Sequence, residues 1–459
     1  PAWAAESYGE DGSRPAFDKA PYLKTTWSQT NPWWPPNNRV GRSRRAVIAQ
    51  VGAPFLWDYS WHRFSDQHVR MWQQVAERYK QYGLTGLQWE NTVKDGYGNS
   101  LGYKGVLKGF KQADNGMMLA LLVTDVMSRV TDIEPKTPAY LEMAKKAYLD
   151  LFDKLTPELY SHPNAYRLHG APVVVFYREP ELTMPQTREL ITTIESKYGR
   201  CIWLCNKRHK SVEELRKFLA VYDGVNQYGH SDPSNERYMR EERAKAELMK
   251  EEFPEKIFEN TISTNWTQHR HFGGQRPRLS ANYRFWWREM MRQEPDSISV
   301  TNWFDTSENS RIMPTYQQDD MCLRVARHYI SRWREGEVER TARPDLYVGN
   351  YTHVRIGEKL LFEVLGFPVE GGEAYPVRLE VCASDGTVLR QFPEREFGGD
   401  ELESLMFEMP SLPYAEQRCV HPRLSWKWQG RWHRTHLFPQ TNLVVGLRPH
   451  LLFWFRSVK

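Results

Sequence analysis

Eight short apolar runs alternate with amphipathic helical patterns over roughly the first two thirds of this 459-residue chain, and that alternation limits the folds open to it. The runs fall at 46–51, 84–89, 117–123, 173–177, 201–205, 224–228, 257–263 and 298–303. Strands separated by helices pair in parallel, because each helix carries the chain back across the sheet. The helix signals are local. Ser65 caps a pattern with Val69, Trp72, Val75 and Tyr79 on one face, ending at Gly83. Thr137 and Pro138 open a helix running to Leu155, and Ser211 with Glu214 forms a capping box. Further helical patterns cover 235–252 and 283–292, and one at 319–335 closes the ring with Met321, Val325, His328 and Tyr329 on one face. Eight repeats of this kind fit an α/β chain folded as a (β/α)8 TIM barrel better than a doubly wound sheet.

The flanking segments differ in texture. Residues 1–44 are rich in Pro, Gly, Asn and Trp, show no period, and read as an irregular N-terminal arm. The barrel then occupies 45–341. From 342 to 459 the chain turns to alternating runs divided by Gly, Pro and Asp, with no helix signal, as a C-terminal all-β sandwich domain would. Five cysteines in no metal-binding spacing read as structural thiols. No run of 18 apolar residues exists, so no membrane span is expected. The formal charge of +5 is spread along the chain, without the dense basic stripe of a nucleic-acid binder.

Aromatic content points to a ligand class. The chain holds 18 Trp, 23 Tyr and 20 Phe, and flat rings of this kind stack on the apolar faces of sugars. In a TIM barrel the reactive groups gather at the C-terminal ends of the strands. Nearly every strand exit here pairs an aromatic with a polar group: Trp57 and Asp58 after the first run, Glu90 after the second, Asp125 after the third, Glu179 after the fourth. Gln227 and Tyr228 end the sixth and His230 follows it, Trp266 follows the seventh, and Trp303 ends the eighth. These are the candidate substrate-binding residues. The candidate catalytic pair is Asp305 and Glu308, in a D-x-x-E spacing just past the eighth run. Glycoside hydrolysis needs two such carboxyl groups, one to protonate the leaving oxygen and one to activate water or attack the sugar. Mutual repulsion and burial separate their pKa values and so their roles.

Three segments carry a resemblance. The stretch VTNWFDTSENSRIMP (300–314) resembles the WNDYGES signature and following I-x-P of glycoside hydrolase family 71. SHPNAYRLHGAPVVVF (161–176) is similar to the entry to the fourth strand in families 71 and 99, and GLTGL (83–87) to their second strand. These families are α-glucanases and α-mannanases on TIM barrels. The resemblance covers about residues 45–330 and implies Glu308 as general acid and Asp305 as base or activating residue, with no metal and no cofactor. Phe304 stands where the family has Asn, and Ser307 where family 71 has Gly. The expected function is an endo-acting glycoside hydrolase on an α-linked polysaccharide or oligosaccharide.

Two other readings are open. The basic run QHRHFGGQRPR (268–278) suits a hydrolase or lyase of an acidic or sulfated glycan. A non-catalytic carbohydrate-binding barrel is the third. The substrate class suggests a secreted or periplasmic protein, and Ala2, Trp3 and Ala4 fit the tail of a small-residue cleavage site. The sequence leaves the oligomeric state open.

Overall fold

A computed structural model of the chain describes residues 46–51, 66–92, 100–124, 131–168, 170–230, 233–264, 279–301, 312, 314, 319–445 and 453–458. Its contacts divide into two compact units. The first takes 1–263 with 286–305, the second 264–285 with 306–459.

The first unit is a closed barrel of eight parallel strands. These are β1 (Ala46–Val51), β2 (Gly86–Thr92), β3 (Met118–Thr124), β4 (Ala171–Arg178), β5 (Ile202–Asn206), β6 (Gly224–Asn226), β7 (Ile257–Ser263) and β8 (Ser297–Thr301). Each pairs with its sequence neighbour, and β1 pairs with β8 to close the ring. Between β3 and β4 the register runs Leu121 to Val174, Leu122 to Val175 and Val123 to Phe176. Every residue of β3 (MLALLVT) is buried, as expected of a strand covered on both faces. The two-residue strand Arg167–Leu168 hairpins onto the start of β4.

The helices of this unit are α1 (Asp66–Gln81), α2 (Ser100–Ala113), α3 (Pro138–Leu155), α4 (Met184–Tyr198), α5 (Val212–Leu219) and α6 (Glu236–Glu251). Of the expected caps, Ser65 lies outside the described residues and the other two are present. Thr137 accepts from the Tyr140 amide at 3.2 Å, and Ser211 and Glu214 bond reciprocally. Two helices went unread in the sequence. For α4 the signal was there, since Thr183 and Gln186 form a capping box around Pro185. For α2 (SLGYKGVLKGFKQA) three glycines disguise the helix. Gly109 explains one of them: a Cβ there would lie 2.6 Å from Trp72 Cβ and 2.7 Å from the Val69 carbonyl on α1. The glycine lets two helix backbones approach closely.

The boundary between the units falls within α7 (Ala281–Gln293), and α8 (Met321–Glu335), expected to close the barrel ring, groups with the second unit. There Arg324 of α8 bonds Asp345 at 2.6 Å and Glu339 at 3.1 Å. The strands of this unit are β9 (Leu346–Tyr351), β10 (His353–Arg355), β11 (Lys359–Gly366), β12 (Tyr375–Cys382), β13 (Val388–Gln391), β14 (Arg395–Phe397), β15 (Glu403–Pro410), β16 (Cys419–Trp428), β17 (Arg431–Arg434), β18 (Thr441–Val444) and β19 (Phe453–Ser457). One sheet runs β15-β11-β9-β19, the other β10-β18-β16-β12-β13 with β14 and β17 at its sides. Phe392 and Phe407, 5.2 Å apart, pack one sheet on the other. Central β9 (LYVGNY) escapes sequence reading because Gly349 and Asn350 look like a turn, yet all six residues are buried and Asn350 Nδ2 donates to Thr441 Oγ1 at 2.8 Å. Two short 3-10 turns, Glu370–Gly372 and Leu412–Gln417, interrupt what read as purely β sequence.

Replacing a helical glycine by alanine ordinarily stabilises by about 1 kcal/mol through helix propensity. Gly109→Ala is expected to do the opposite and cost about 1–3 kcal/mol through overpacking against α1. Urea unfolding of the variant beside wild type reads the sign directly.

Candidate active site

The interior of the barrel is divided. Ile48, Ala120, Leu122, Val173, Val175, Ile202 and Leu204 form an apolar cluster across β1 and β3–β5. Toward β7 and β8 the interior is polar. Glu259, fully buried on β7, accepts from Gln88 Nε2 at 2.6 Å and from Ser297 Oγ at 3.1 Å. One step further along, Thr261 Oγ1 and Thr301 Oγ1 lie 2.9 Å apart. Their hydroxyl and amide groups then reach the β6 exit: the Gly229 amide donates to Thr301 Oγ1 at 3.2 Å and the His230 amide to Ser263 Oγ at 2.8 Å. Polar residues at alternate positions of IFENTIS and SISVT therefore build a column toward the C-terminal ends of the strands.

The β6 exit is held by a second buried network. Lys207 Nζ bonds Glu242 Oε2 of α6 at 2.5 Å and donates to Gln227 Oε1, and all three side chains are buried. Lys245 Nζ donates to Glu242 Oε1 at 3.0 Å. Burial alone would push Glu242 up, but the charges of Lys207 and Lys245 outweigh it and hold the carboxyl at about 2. Burial lowers Lys207 to about 8, with Glu242 opposing the shift. Gln227 Nε2 lies 2.7 Å from His230 Nδ1 and 3.0 Å from the Tyr238 hydroxyl. His230 stacks on Trp286 of α7 with ring centroids 3.7 Å apart. Its pKa falls to about 3 through burial, so the imidazole is neutral at physiological pH.

The sequence-derived candidates divide accordingly. Asp305, Glu308, Trp57, Asp58, Asp125, Trp266 and Trp303 lie outside the described residues, as does the basic run 268–278. Glu90 lies in β2, paired in register with Leu122. Glu179 closes the rim between β4 and β5, where its Oε1 accepts from the Asn206 amide at 2.5 Å and from Lys210 Nζ at 3.0 Å. Tyr228 packs its ring 4.4 Å from Tyr177. Gln227 and His230 come together as above, with Tyr238, Lys207, Glu242 and Trp286 around them. The last four were not read as site residues. Lys207 follows β5 directly and was visible as a strand exit, but Glu242 and Trp286 sit inside ordinary helical patterns and carry no local signal. Among the described residues, no three His, Cys, Asp or Glu side chains converge as a metal site. Nor is any described helix long and apolar enough to cross a membrane.

Comparison with known proteins bears on the barrel. No family model matches the chain, and no curated protein does. Among solved structures, the chain is similar to the GH99 endo-alpha-mannosidase from Bacteroides thetaiotaomicron in complex with bis-tris propane. That match has 13% identity and a TM-score of 0.50, covering 63% of this chain and 97% of that one. A β-glucuronidase from Bacteroides uniformis matches at 14% identity and a TM-score of 0.47, over 88% of this chain and 46% of that one. At such identity the first likeness shows a shared GH99-like TIM barrel fold.

Two outcomes follow from the buried groups. Burial raises Glu259 to about 7, against an ordinary 4.5 in the unfolded chain. The folded protein therefore holds this proton more tightly. Its contribution to stability is full below pH 4.5 and is lost as pH rises toward 7, a change of about 3 kcal/mol. Glu259→Gln removes that component, so urea unfolding at pH 5 and pH 8 should show the variant gaining on wild type at the higher pH. Glu242→Gln leaves two lysines without their carboxylate and is expected to cost about 3–5 kcal/mol in the same assay at pH 7.

Proposed function

We propose that this protein is a glycoside hydrolase, endo-acting on an α-linked polysaccharide, with Asp305 and Glu308 as its catalytic carboxyl pair. The observation that carries the reading is the closed barrel, whose fold matches a GH99 endo-alpha-mannosidase over 97% of that chain, together with a D-x-x-E motif four residues past the end of β8. Strand ends on that face are where barrel enzymes place their reactive groups. The polar column on β7 and β8 rises toward the same exit.

In this reading Glu308 protonates the leaving glycosidic oxygen and Asp305 acts as base or activates the nucleophile. Trp57, Tyr228, Trp266 and Trp303 offer rings to stack on sugar faces, while Asp58, Glu90, Asp125, Glu179, Gln227 and His230 offer hydrogen-bonding groups. A neutral His230 suits that task, since it can donate or accept without adding charge. Residues 45–341 form the catalytic body and 342–459 an accessory sandwich. A polymeric substrate of this kind suits a protein outside the cytoplasm, secreted or periplasmic.

The test is release of reducing ends from a panel of α- and β-linked glycans that includes α-mannan and α-glucan. Wild type is expected to cleave an α-linked member. Glu308→Gln and Asp305→Asn should each lower kcat by about 10²–10⁴-fold, and loss of Glu308 should remove the basic limb of the pH profile. Undiminished cleavage by both variants would move the chemistry to another carboxylate. Binding of a glycan without cleavage would favour a carbohydrate-binding barrel.

A further inference from the structure

The barrel rim between β4 and β6 carries more positive charge than its own carboxylates neutralise. Arg178 ends β4, Lys207, Arg208 and Lys210 follow β5, and Lys245 reaches up from α6. Against these five cations stand Glu179, bonded to Lys210, and Glu242, bonded to Lys207 and Lys245. Arg178 and Arg208 are left over, and among the described residues neither meets a carboxylate. Arg200, Arg284 and Arg324 each do: Arg200 pairs with Glu195 and Asp223, Arg284 with Glu363, Arg324 with Glu339 and Asp345.

One of the two guanidinium groups is also held in place. Arg208 NH1 donates to the Tyr228 carbonyl at 3.0 Å, which fixes one edge of the group and leaves its other N–H bonds to be satisfied. Gly229, with φ of 67°, lies against it, and a Cβ there would come within 3.3 Å of NH1. Arg178 Cζ sits 5.9 Å from the ring of Tyr177. Both charges converge on His209, whose pKa is lowered first by partial burial and then by Arg208, Lys210, Lys245 and Arg178. Planar guanidinium groups in a field of excess positive charge match the geometry of a carboxylate or sulfate, and a bound anion relieves the repulsion between the cations.

We propose that Arg178 and Arg208 form an anion subsite on the rim of the glycan cleft, binding a carboxylate or sulfate group of the polysaccharide, so that the substrate is an acidic glycan. This rests on the glycosidase reading above and names the substrate class of the same site. The subsite uses residues of the β4 and β5 exits.

Calorimetric titration of the full chain with trigalacturonate, sulfated maltohexaose and neutral maltohexaose tests it. At least one acidic oligosaccharide should bind about tenfold or more tightly than the neutral one. The Arg178→Gln/Arg208→Gln variant should lose that preference, and the Arg178→Lys/Arg208→Lys variant should keep part of it. Arg431→Gln, on the hairpin strand β17, controls for non-specific attraction and should leave it intact. Where the double glutamine variant fails to fold, Arg178→Gln alone carries the test. Which acidic ligand binds decides between carboxylate and sulfate. Equal binding of acidic and neutral sugars, or a preference untouched by the arginine variants, overturns the subsite. Cleavage of neutral glycan in that case leaves the glycosidase reading standing. Arginine-dependent binding of an acidic glycan that is never cut by wild type, with no other glycan cut, overturns the glycosidase reading and keeps the subsite.

Discussion

Closure of the barrel is the constraint on which the rest of the first unit depends. A parallel sheet left open presents unpaired N–H and C=O groups along two edges, and pairing β3 with β4 and β1 with β8 leaves the eight-stranded ring with neither. Closure also creates an interior that side chains must fill. On one side that interior is filled by Leu122, Val175, Leu204 and their neighbours, which need no partners. On the other it holds Glu259, Gln88, Thr261 and Ser297, and these survive burial because each finds a hydrogen-bond partner across the strands.

That asymmetry gives the barrel a direction. The polar side ends among Ser263, Thr301 and the β6 exit, where backbone amides of Gly229 and His230 are fastened to hydroxyl groups of the neighbouring strands. At the β6 exit, the Lys207, Glu242 and Lys245 cluster fixes Gln227, and Gln227 with Trp286 fixes His230. Side chains locked in this way hold their geometry without ligand, and a binding site requires that pre-organisation. In the proposed subsite, the charge left over on Arg178 and Arg208 is what a bound anion would answer.

Sequence reading and structure part at identifiable places. The eight barrel strands were legible because each contains a short apolar run, and several of the helices between them open on caps, local hydrogen bonds between residues three apart. Helix α2 was not, since Gly109 there serves the fit of α1 against α2, a contact between residues far apart in sequence. Strand β9 was hidden for a like reason: Asn350 and Gly349 are poor strand formers alone, and Thr441, far along the chain, supplies the bond that makes Asn350 acceptable. In the site, Gln227, Tyr228 and His230 could be picked out as a strand exit. Glu242 and Trp286 could not, because nothing in a helix face announces which residue it will meet.

The sequence by itself showed the order of the eight strands and of six of the eight helices, the caps at Thr137 and Ser211, and an alternation that a barrel fits better than an open sheet. It also set which residues follow each strand end, since periodicity and capping act within a few residues. Tertiary structure alone decided which half of the barrel interior is polar, which carboxylate answers which lysine, and which arginines go unanswered. Those depend on pairings across tens of residues, where burial and Coulomb energy act through space and leave no mark on local pattern.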